Sequence, residues 1–506
     1  MPSETENAGL MRQGRGQQLA ILVSLILSQA VQIIPFGVGI AGGLSIAKSL
    51  GSDAGGAAWI VASYSYVLAP HACSAQEILK KSQSMTQGTF VLIGGRLGDV
   101  YGHRLVYLAG SVWWTLWMLV SAWAPNVIAL CVFRALCGVG GGVMVPNIVA
   151  LLAITFPPGK IRNIAFGLFG AMGPIGAAGG SVFAGLFVQL TPWKYVFIFM
   201  AVLGSLIYGT AFLVVPKAPR IPIKEARVDW LGAYLGVAGL ILFNFVWNQS
   251  ALVGWEPAYE YILLIVSMLH FGAFYWRIKT APEPILPLDI WTAPSFAALI
   301  LSALFNFMAF GVALWFMNIW ILDVRKTSIL TASAYIQPFT VCATLAAFLA
   351  AYLVRKVDAQ HLLAAGAGLM MASNAILSRM PAQQTYWAGI FPAVVLAAFS
   401  PDFVFTASQT IASNSVKRSQ QGIAGSLIGT LLNYGISAGV GFGGTVERYL
   451  NKSKTSDNLA GIRGALYLGI GFGAMGLILA ELFVRIEKDG SDLGPEDGIE
   501  VPDSSV

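Results

Sequence analysis

The sequence predicts an all-α membrane protein with fourteen membrane-spanning helices, and three observations lead to this architecture. Hydrophobic residues make up 56% of the chain and charged residues only 11%, whereas a soluble domain carries about 25% charged residues. Apolar segments long enough to cross about 30 Å of hydrocarbon recur along the whole chain. The chain also contains 56 glycines, which favours a helical bundle over a barrel because small residues let membrane helices approach each other closely.

Lysine and arginine residues predict the orientation. Thirteen continuous apolar segments and one interrupted segment place both termini on the same side of the membrane. With the termini in the cytoplasm, the cytoplasmic segments hold 18 of the 30 basic residues and the outer segments hold 9. Cytoplasmic loops of membrane proteins carry such an excess of positive charge, so we expect both termini to be cytoplasmic.

The second span is interrupted by a polar segment, residues 66–84, which contains a glutamate and two lysines. Each charged side chain costs about 2.5–3.5 kcal/mol at the centre of a membrane helix. Without this segment, the flanking residues read as one ordinary span. Two explanations remain open. The segment is either a retained intron of 19 codons or a loop that bulges outwards, and sequencing the mature transcript distinguishes them.

The composition also excludes several classes of protein. The net charge is +6, but the basic residues are scattered between apolar segments, so nucleic-acid binding is not expected. The four cysteines form no CxxC pair or His/Cys cluster, so we expect no metal and no cofactor. The sequence contains no Walker A loop, HExxH or nucleophile elbow, which argues against an enzyme and an ATP-driven pump. The polar residues 1–18 do not read as a cleavable signal.

A charged, glycine-rich motif lies between the second and third spans. Its glycines permit a tight turn and close helix contact, its aspartate suits the N-terminal dipole of the third span, and its arginines can reach acidic groups or lipid phosphates. We expect a latch that closes in one conformation and opens in the other. Its residues are Gly95, Arg96, Gly98, Asp99, Gly102 and Arg104. The segment resembles the signature that major facilitator transporters carry in this loop.

Two further motifs lie within spans. Arg134 is about 10 Å inside the outer end of the fourth span, where it must face a cavity or a carboxylate unless it extends to the outer interface. Its surroundings resemble the family's fourth-span pattern, in which this arginine is linked to proton coupling. In the fifth span, Gly173, Pro174 and Gly176 resemble the antiporter signature of drug:proton exchangers. A Gly-Pro kink beside small residues gives a pliable helix, although tight packing alone also explains it.

On these motifs the chain is identified as a member of the major facilitator superfamily, within its fourteen-span drug:proton antiporter family and of fungal type. The resemblance implies two six-helix bundles with two additional central spans between them. The resulting units are a cytoplasmic tail at 1–18, an N-terminal bundle at 19–215, a basic cytoplasmic loop at 216–229, additional spans at 230–278, a C-terminal bundle at 295–484 and a cytoplasmic tail at 485–506.

The resemblance implies proton-coupled efflux of a drug, toxin or secondary metabolite. The expected partners are a small-molecule substrate, protons and the lipid bilayer, with no nucleic acid and a monomeric chain. The expected location is the plasma membrane, with the vacuolar membrane as the alternative. Low-affinity uptake or facilitated passage of ammonium or borate is an alternative function. A membrane sensor that transports nothing is a further alternative. Such sensors tend to carry long cytoplasmic extensions, whereas the expected cytoplasmic tails of this chain are short.

The family architecture would line a central cavity with spans 1, 4, 9 and 12. Asp402, on span 12 next to Pro401, is then a candidate proton site together with Arg134, because a carboxylate inside a span is a functional candidate by default. The alternative is a structural carboxylate bound by backbone N–H groups near Pro401. Candidate substrate contacts, which packing would also explain, are Gln29, Gln32, Phe305, Asn306, Tyr335 and Gln337. Asn451 begins an Asn-Lys-Ser sequon and is a candidate for glycosylation.

Overall fold

The computed structural model describes residues 15–51, 86–156, 160–216, 228–282, 284–286, 288–293, 295–354, 356–416, 421–453 and 458–485. Helices dominate these ranges. The fourteen α-helices in them are α1 Arg15–Ser49, α2 Thr86–Tyr101, α3 His103–Ser121, α4 Val127–Thr155, α5 Lys160–Leu190, α6 Lys194–Val214, α7 Trp230–Val253, α8 Ala258–Thr280, α9 Phe296–Ile319, α10 Ile329–Leu353, α11 Ala359–Arg379, α12 Ile390–Ser415, α13 Gln421–Ser453 and α14 Asn458–Phe483.

Twelve helices of the described ranges are long and apolar enough to cross a membrane. They are α1 and α4 to α14, whereas α2 and α3 have 16 and 19 residues. The all-helical membrane architecture is therefore confirmed, and the predicted number of spans is confirmed only as far as twelve. The interrupting segment, residues 66–84, lies outside the described residues.

Polar side chains cap the N-termini of α4 and α10. Asn126 precedes α4, and its side-chain oxygen accepts a hydrogen bond from the backbone N–H of Ala129 at 2.9 Å. Ser328 precedes α10 and accepts from the N–H of Thr331 at 3.2 Å. Each contact satisfies one of the N–H groups that a helix start leaves without a backbone acceptor. These caps favour a helix start directly after Asn126 and directly after Ser328.

The packing of α1 on α5 depends on glycine. A Cβ atom on Gly180 would lie 2.1 Å from the carbonyl oxygen of Ile34, and one on Gly176 would lie 2.5 Å from that of Ala30. Cβ atoms do not approach other heavy atoms so closely. The backbones of α1 and α5 thus touch along this stretch, as small residues allow in membrane bundles.

The helices form two sets with an additional pair beside them. Within the first set α1 packs on α5 and α3 on α4, and within the second α9 packs on α13 and α14 and α11 on α12 and α14. Contacts of α5 with α10 and of α2 with α13 join the two sets. Helix α7 packs against α8 and α13, so the additional pair is attached to the second set through α13.

Candidate functional site

The α2–α3 turn carries the charged, glycine-rich motif. Gly102 has a φ of 95°, a backbone conformation that favours glycine, and it separates the end of α2 from the start of α3. One turn earlier, a Cβ on Gly98 would lie 1.9 Å from the side-chain oxygen of Asn147 on α4. The imidazole Nε2 of His103 lies 3.6 Å from an Asp99 carboxylate oxygen. Two of the predicted glycines thus have a steric reason.

Asn147 is a residue of this latch that the sequence did not indicate. Its Nδ2 donates to the carbonyl oxygens of Gly94 and Val143, each at 2.8 Å, and its Oδ1 lies 2.9 Å from Nδ1 of His103. Because Nδ2 is the donor in this amide, Oδ1 accepts from the imidazole Nδ1–H. The chain Asn147–His103–Asp99 therefore connects α4 to the turn. His103 stands where the family pattern has an arginine.

Arg104 lies against a helix end instead of the predicted acidic group or lipid phosphate. Its Nε donates to the carbonyl oxygen of Val215 at 2.7 Å, and its Nη2 donates to that of Phe212 at 2.9 Å. The guanidinium also lies 5.6 Å from the centre of the Phe212 ring. Carbonyls at the end of a helix attract cations, so Arg104 fixes the start of α3 to the end of α6.

Arg134 points into the protein. It is fully buried, and its Nη2 donates to the carbonyl oxygen of Pro35 on α1 at 2.9 Å. Its guanidinium lies 5.8 Å from the centre of the Phe197 ring on α6. The alternative in which this side chain extends to the outer interface is therefore wrong, and Arg134 connects α4 to α1 and α6.

The antiporter motif divides into two parts. Gly176 contacts the backbone of α1, as described above, whereas a Cβ on Gly173 would meet nothing within 4 Å. Pro174 lies inside α5 and does not end the helix. Gly176 thus serves close packing, and Gly173 has no steric need to be glycine.

Asp402 lies near the midpoint of α12, which runs from Ile390 to Ser415. The side chain is partly buried. Among the described residues, no hydrogen-bond donor or ion-pair partner binds its carboxylate, which argues against the structural alternative. Its neighbour Ser400 donates to the side-chain oxygen of Asn306 on α9 at 3.3 Å. Arg134 and Asp402 are not in contact.

The candidate substrate contacts fall into two groups. Gln29 and Gln32 are buried on α1 and hydrogen bond to each other, and Asn306 is fully buried on α9. Its Nδ2 has no hydrogen-bond partner in the described part of the chain. These three amides stay candidate contacts.

The other three candidates take part in helix packing. The ring of Phe305 stacks on Phe472 of α14 with 6.0 Å between ring centres. The ring of Tyr335 stacks on Tyr386 at 4.3 Å. Gln337 donates to the hydroxyl of Ser181 on α5 at 3.4 Å, so it connects the two sets of helices.

A second intramembrane carboxylate was missed by the sequence reasoning. Glu447 lies in the apolar span of α13, is partly buried, and has Asp323 as its charged neighbour. The signal was a single glutamate inside an apolar run, hidden by the basic residues that follow it. Asn451, also on α13, accepts the backbone N–H of Gly461 at 3.1 Å, and its glycosylation stays a prediction.

Comparison with known proteins places this arrangement in a family. The sequence model of the Major Facilitator Superfamily matches residues 21–441. The efflux pump terJ of Aspergillus terreus is 34% identical over 412 residues, which are 80% of this chain and 79% of that protein. The low affinity ammonium transporter of Saccharomyces cerevisiae is 32% identical over 410 residues, 79% of each chain.

A solved structure agrees in fold. The human organic anion transporter MFSD10 superposes with a TM-score of 0.62, covering 93% of this chain and 100% of that chain at 13% sequence identity. At this identity the likeness concerns the fold alone. The family match spans most of the chain, and relatives above 30% identity, which are transporters, cover about four-fifths of it. The chain therefore belongs to the major facilitator superfamily of transporters.

Proposed function

We propose that this protein is a proton-coupled efflux transporter for a small organic compound. The observation that carries the proposal is Asp402, a carboxylate near the midpoint of α12 without a partner among the described residues. A charged carboxylate inside a membrane is costly, so its neutral and charged forms favour different environments. Binding and release of a proton by Asp402 would bias the transporter between its two orientations. The similarity to the efflux pump terJ supports export as the direction.

The fourteen-span architecture belongs to the same proposal. Helices α2 and α3 lie beside helices that qualify as spans, since both pack on α4 and α3 also packs on α6. Gly110 of α3 approaches α4 so closely that a Cβ there would lie 3.1 Å from the carbonyl oxygen of Gly140. Helices α2 and α3, packed this closely on membrane-spanning helices, would cross the membrane beside them. Fourteen spans then place both termini on the same side of the membrane, and the excess of basic residues in the loops on that side makes it the cytoplasmic side.

Contacts between α5 and α10 support a mechanism of alternating access. Ser333 donates to the carbonyl oxygen of Ser181 at 2.9 Å, and Gln337 reaches the Ser181 hydroxyl. With the N-terminus in the cytoplasm, these contacts lie in the outer half of both helices. In the proposed mechanism they hold the outer side closed and break when the two bundles rock apart there. The Asn147–His103–Asp99 chain serves as the latch on the cytoplasmic side.

The test uses yeast that lacks its own drug pumps and expresses this chain. We expect lower accumulation of at least one compound from a panel of antifungals and fluorescent dyes, and restored accumulation on addition of a protonophore. Asp402→Asn should abolish this efflux. Glu481→Gln is the matched control, because it removes a carboxylate that pairs with His361 at the exposed end of α14. Unchanged efflux by the Asp402 variant would remove Asp402 from the mechanism.

A second candidate function is low-affinity passage of ammonium, which the similarity to the yeast ammonium transporter favours. A passive route needs no titrating carboxylate, so the Asp402→Asn variant discriminates between the two. Growth of ammonium-uptake-deficient yeast on limiting ammonium, equally rescued by wild type and by this variant, would support the second function.

A fluorescent fusion distinguishes the proposed plasma membrane location from the vacuolar membrane, and native mass spectrometry tests the proposed monomer.

A further inference from the structure

Glu260 is a fully buried carboxylate outside the proposed transport path. It lies in the first turn of α8, near the predicted outer surface, with no part of its side chain exposed. Among the described residues no cation pairs with its carboxylate, and the Tyr259 hydroxyl is the neighbouring hydrogen-bond donor. A buried charge is costly unless it is paired or binds a cation. The nearby ion pair lies at the protein surface instead. There, just before α8, the Glu256 carboxylate accepts a hydrogen bond from the Lys452 ammonium at 2.6 Å.

The Tyr259 hydroxyl links this carboxylate to the side-chain amide of Gln249. Gln249, at the end of α7, is fully buried. Its Nε2 donates to the Tyr259 hydroxyl at 3.4 Å, and its Oε1 has no partner in the described part of the chain. The Tyr259 hydroxyl is also close enough to interact with Glu260. The amide of Gln249, the phenol and the carboxylate therefore form one group in which oxygen acceptors outnumber donors.

The chemistry of this group selects the ligand. Carboxylate, amide and phenol oxygens are hard ligands, which suit hard cations. The group has a single negative charge, and no cluster of three or more histidine, cysteine or acidic residues is found among the residues described. One positive charge balances it. We propose that Glu260, Gln249 and Tyr259 form a binding site for a monovalent cation, such as potassium, sodium or ammonium, between α7 and α8.

The place of this site in the fold indicates its role. Helix α7 also packs against α13. The Ser250 hydroxyl of α7 lies 2.9 Å from the Thr445 hydroxyl of α13, and the Trp247 ring stacks on Phe442 with 3.8 Å between ring centres. Helix α8 packs mainly on α7. A cation bound by Glu260 and Gln249 would join α8 to the assembly of α7 and α13. The site is independent of proton coupling at Asp402.

The test measures thermal unfolding of the purified full-length protein at constant ionic strength. Potassium, sodium and ammonium chloride are each compared with choline chloride, whose cation is too large for the site. We expect at least one small cation to raise the midpoint of wild type by a few degrees, as ligand binding to the folded state does. Glu260→Gln should remove this response and still fold, since an amide avoids burying an unpaired charge.

Two further variants make the result decisive. Glu256→Gln removes a carboxylate four residues earlier, but an exposed one, and should keep the response of wild type. Gln249→Leu should weaken cation binding by about tenfold or more, corresponding to 1.4 kcal/mol, and it decides the matter alone if Glu260→Gln does not fold. The proposal is overturned if choline acts like the small cations, if Gln249→Leu or Glu260→Gln responds like wild type, or if stability depends on pH and on no cation.

Discussion

Gly180→Ala should push α1 and α5 apart, whereas Gly173→Ala on the same helix should not. At Gly180 the new Cβ would lie 2.1 Å from the carbonyl oxygen of Ile34 and 3.0 Å from the Cα of Gly37. Both neighbours are backbone atoms, which no change of side-chain rotamer can move. The two helices must separate by about 1.4 Å or more to bring this distance to an ordinary contact of about 3.5 Å. At Gly173 the new Cβ would meet nothing within 4 Å.

The magnitudes follow from two opposing effects. Alanine in place of glycine stabilises a helix interior by about 0.5–1 kcal/mol, and both variants share this gain. Overpacking costs about 1–3 kcal/mol, and only Gly180→Ala incurs it. The free energies of unfolding should therefore differ by about 1–3 kcal/mol, with Gly173→Ala as stable as wild type or more stable.

Thermal unfolding in detergent, together with efflux in the yeast assay, checks this prediction. Gly180→Ala should unfold at a lower temperature than wild type or Gly173→Ala. Equal losses of stability in both variants would refute the argument that, of these two glycines, only Gly180 lies against the backbone of α1. If Gly173→Ala stays stable but loses efflux, Gly173 serves the pliability of the kink at Pro174.

Three further predictions concern polar contacts. Arg134→Lys keeps the charge but not the planar guanidinium that bonds the Pro35 carbonyl, so efflux should fall about tenfold, or 1.4 kcal/mol, at unchanged surface expression; wild-type efflux would contradict this. Asn147→Ala removes the bonds to Gly94 and His103 and should lower the free energy of unfolding by about 1 kcal/mol, measured by thermal unfolding; no loss would mean that the latch is open in solution. Lys452 holds the pKa of the exposed Glu256 carboxyl below its usual range. The stability that this Glu256–Lys452 ion pair contributes is therefore present at pH values above the usual pKa of a glutamate, and it is lost as the pH falls through the lowered pKa. The difference in stability between wild type and Glu256→Gln should therefore vanish at acidic pH and persist at neutral pH.

The sequence predicted the features that depend on neighbours along the chain. Hydropathy located the helices, because each must be apolar over about 30 Å whatever it packs against. The tight turn at Gly102, where φ is 95°, is likewise local. The membrane-embedded position of Arg134 followed from residue counting along one helix. The family and its motifs were also readable from the sequence.

The partners of individual side chains could not be predicted, since they depend on the rotation of each helix about its axis. Gly173 and Gly176 are three residues apart in one motif, yet only Gly176 meets α1. Arg104 was expected near an acidic group and instead binds carbonyls at the end of α6, 108 and 111 positions away. Apolar spans show little difference between their faces, so hydropathy does not indicate which face packs inward.

By itself, then, the sequence determined that the bilayer is the solvent of this protein, where its helices run and which motifs they carry, because those properties follow from composition and local spacing. Only the tertiary structure decided that Asn147 joins the latch, that Tyr335 and Phe305 are used in packing, and that Glu260 is enclosed between α7 and α8. Those properties arise where segments distant in the chain meet. The free energy of a buried polar group depends on the partners it finds there, not on its neighbours in sequence.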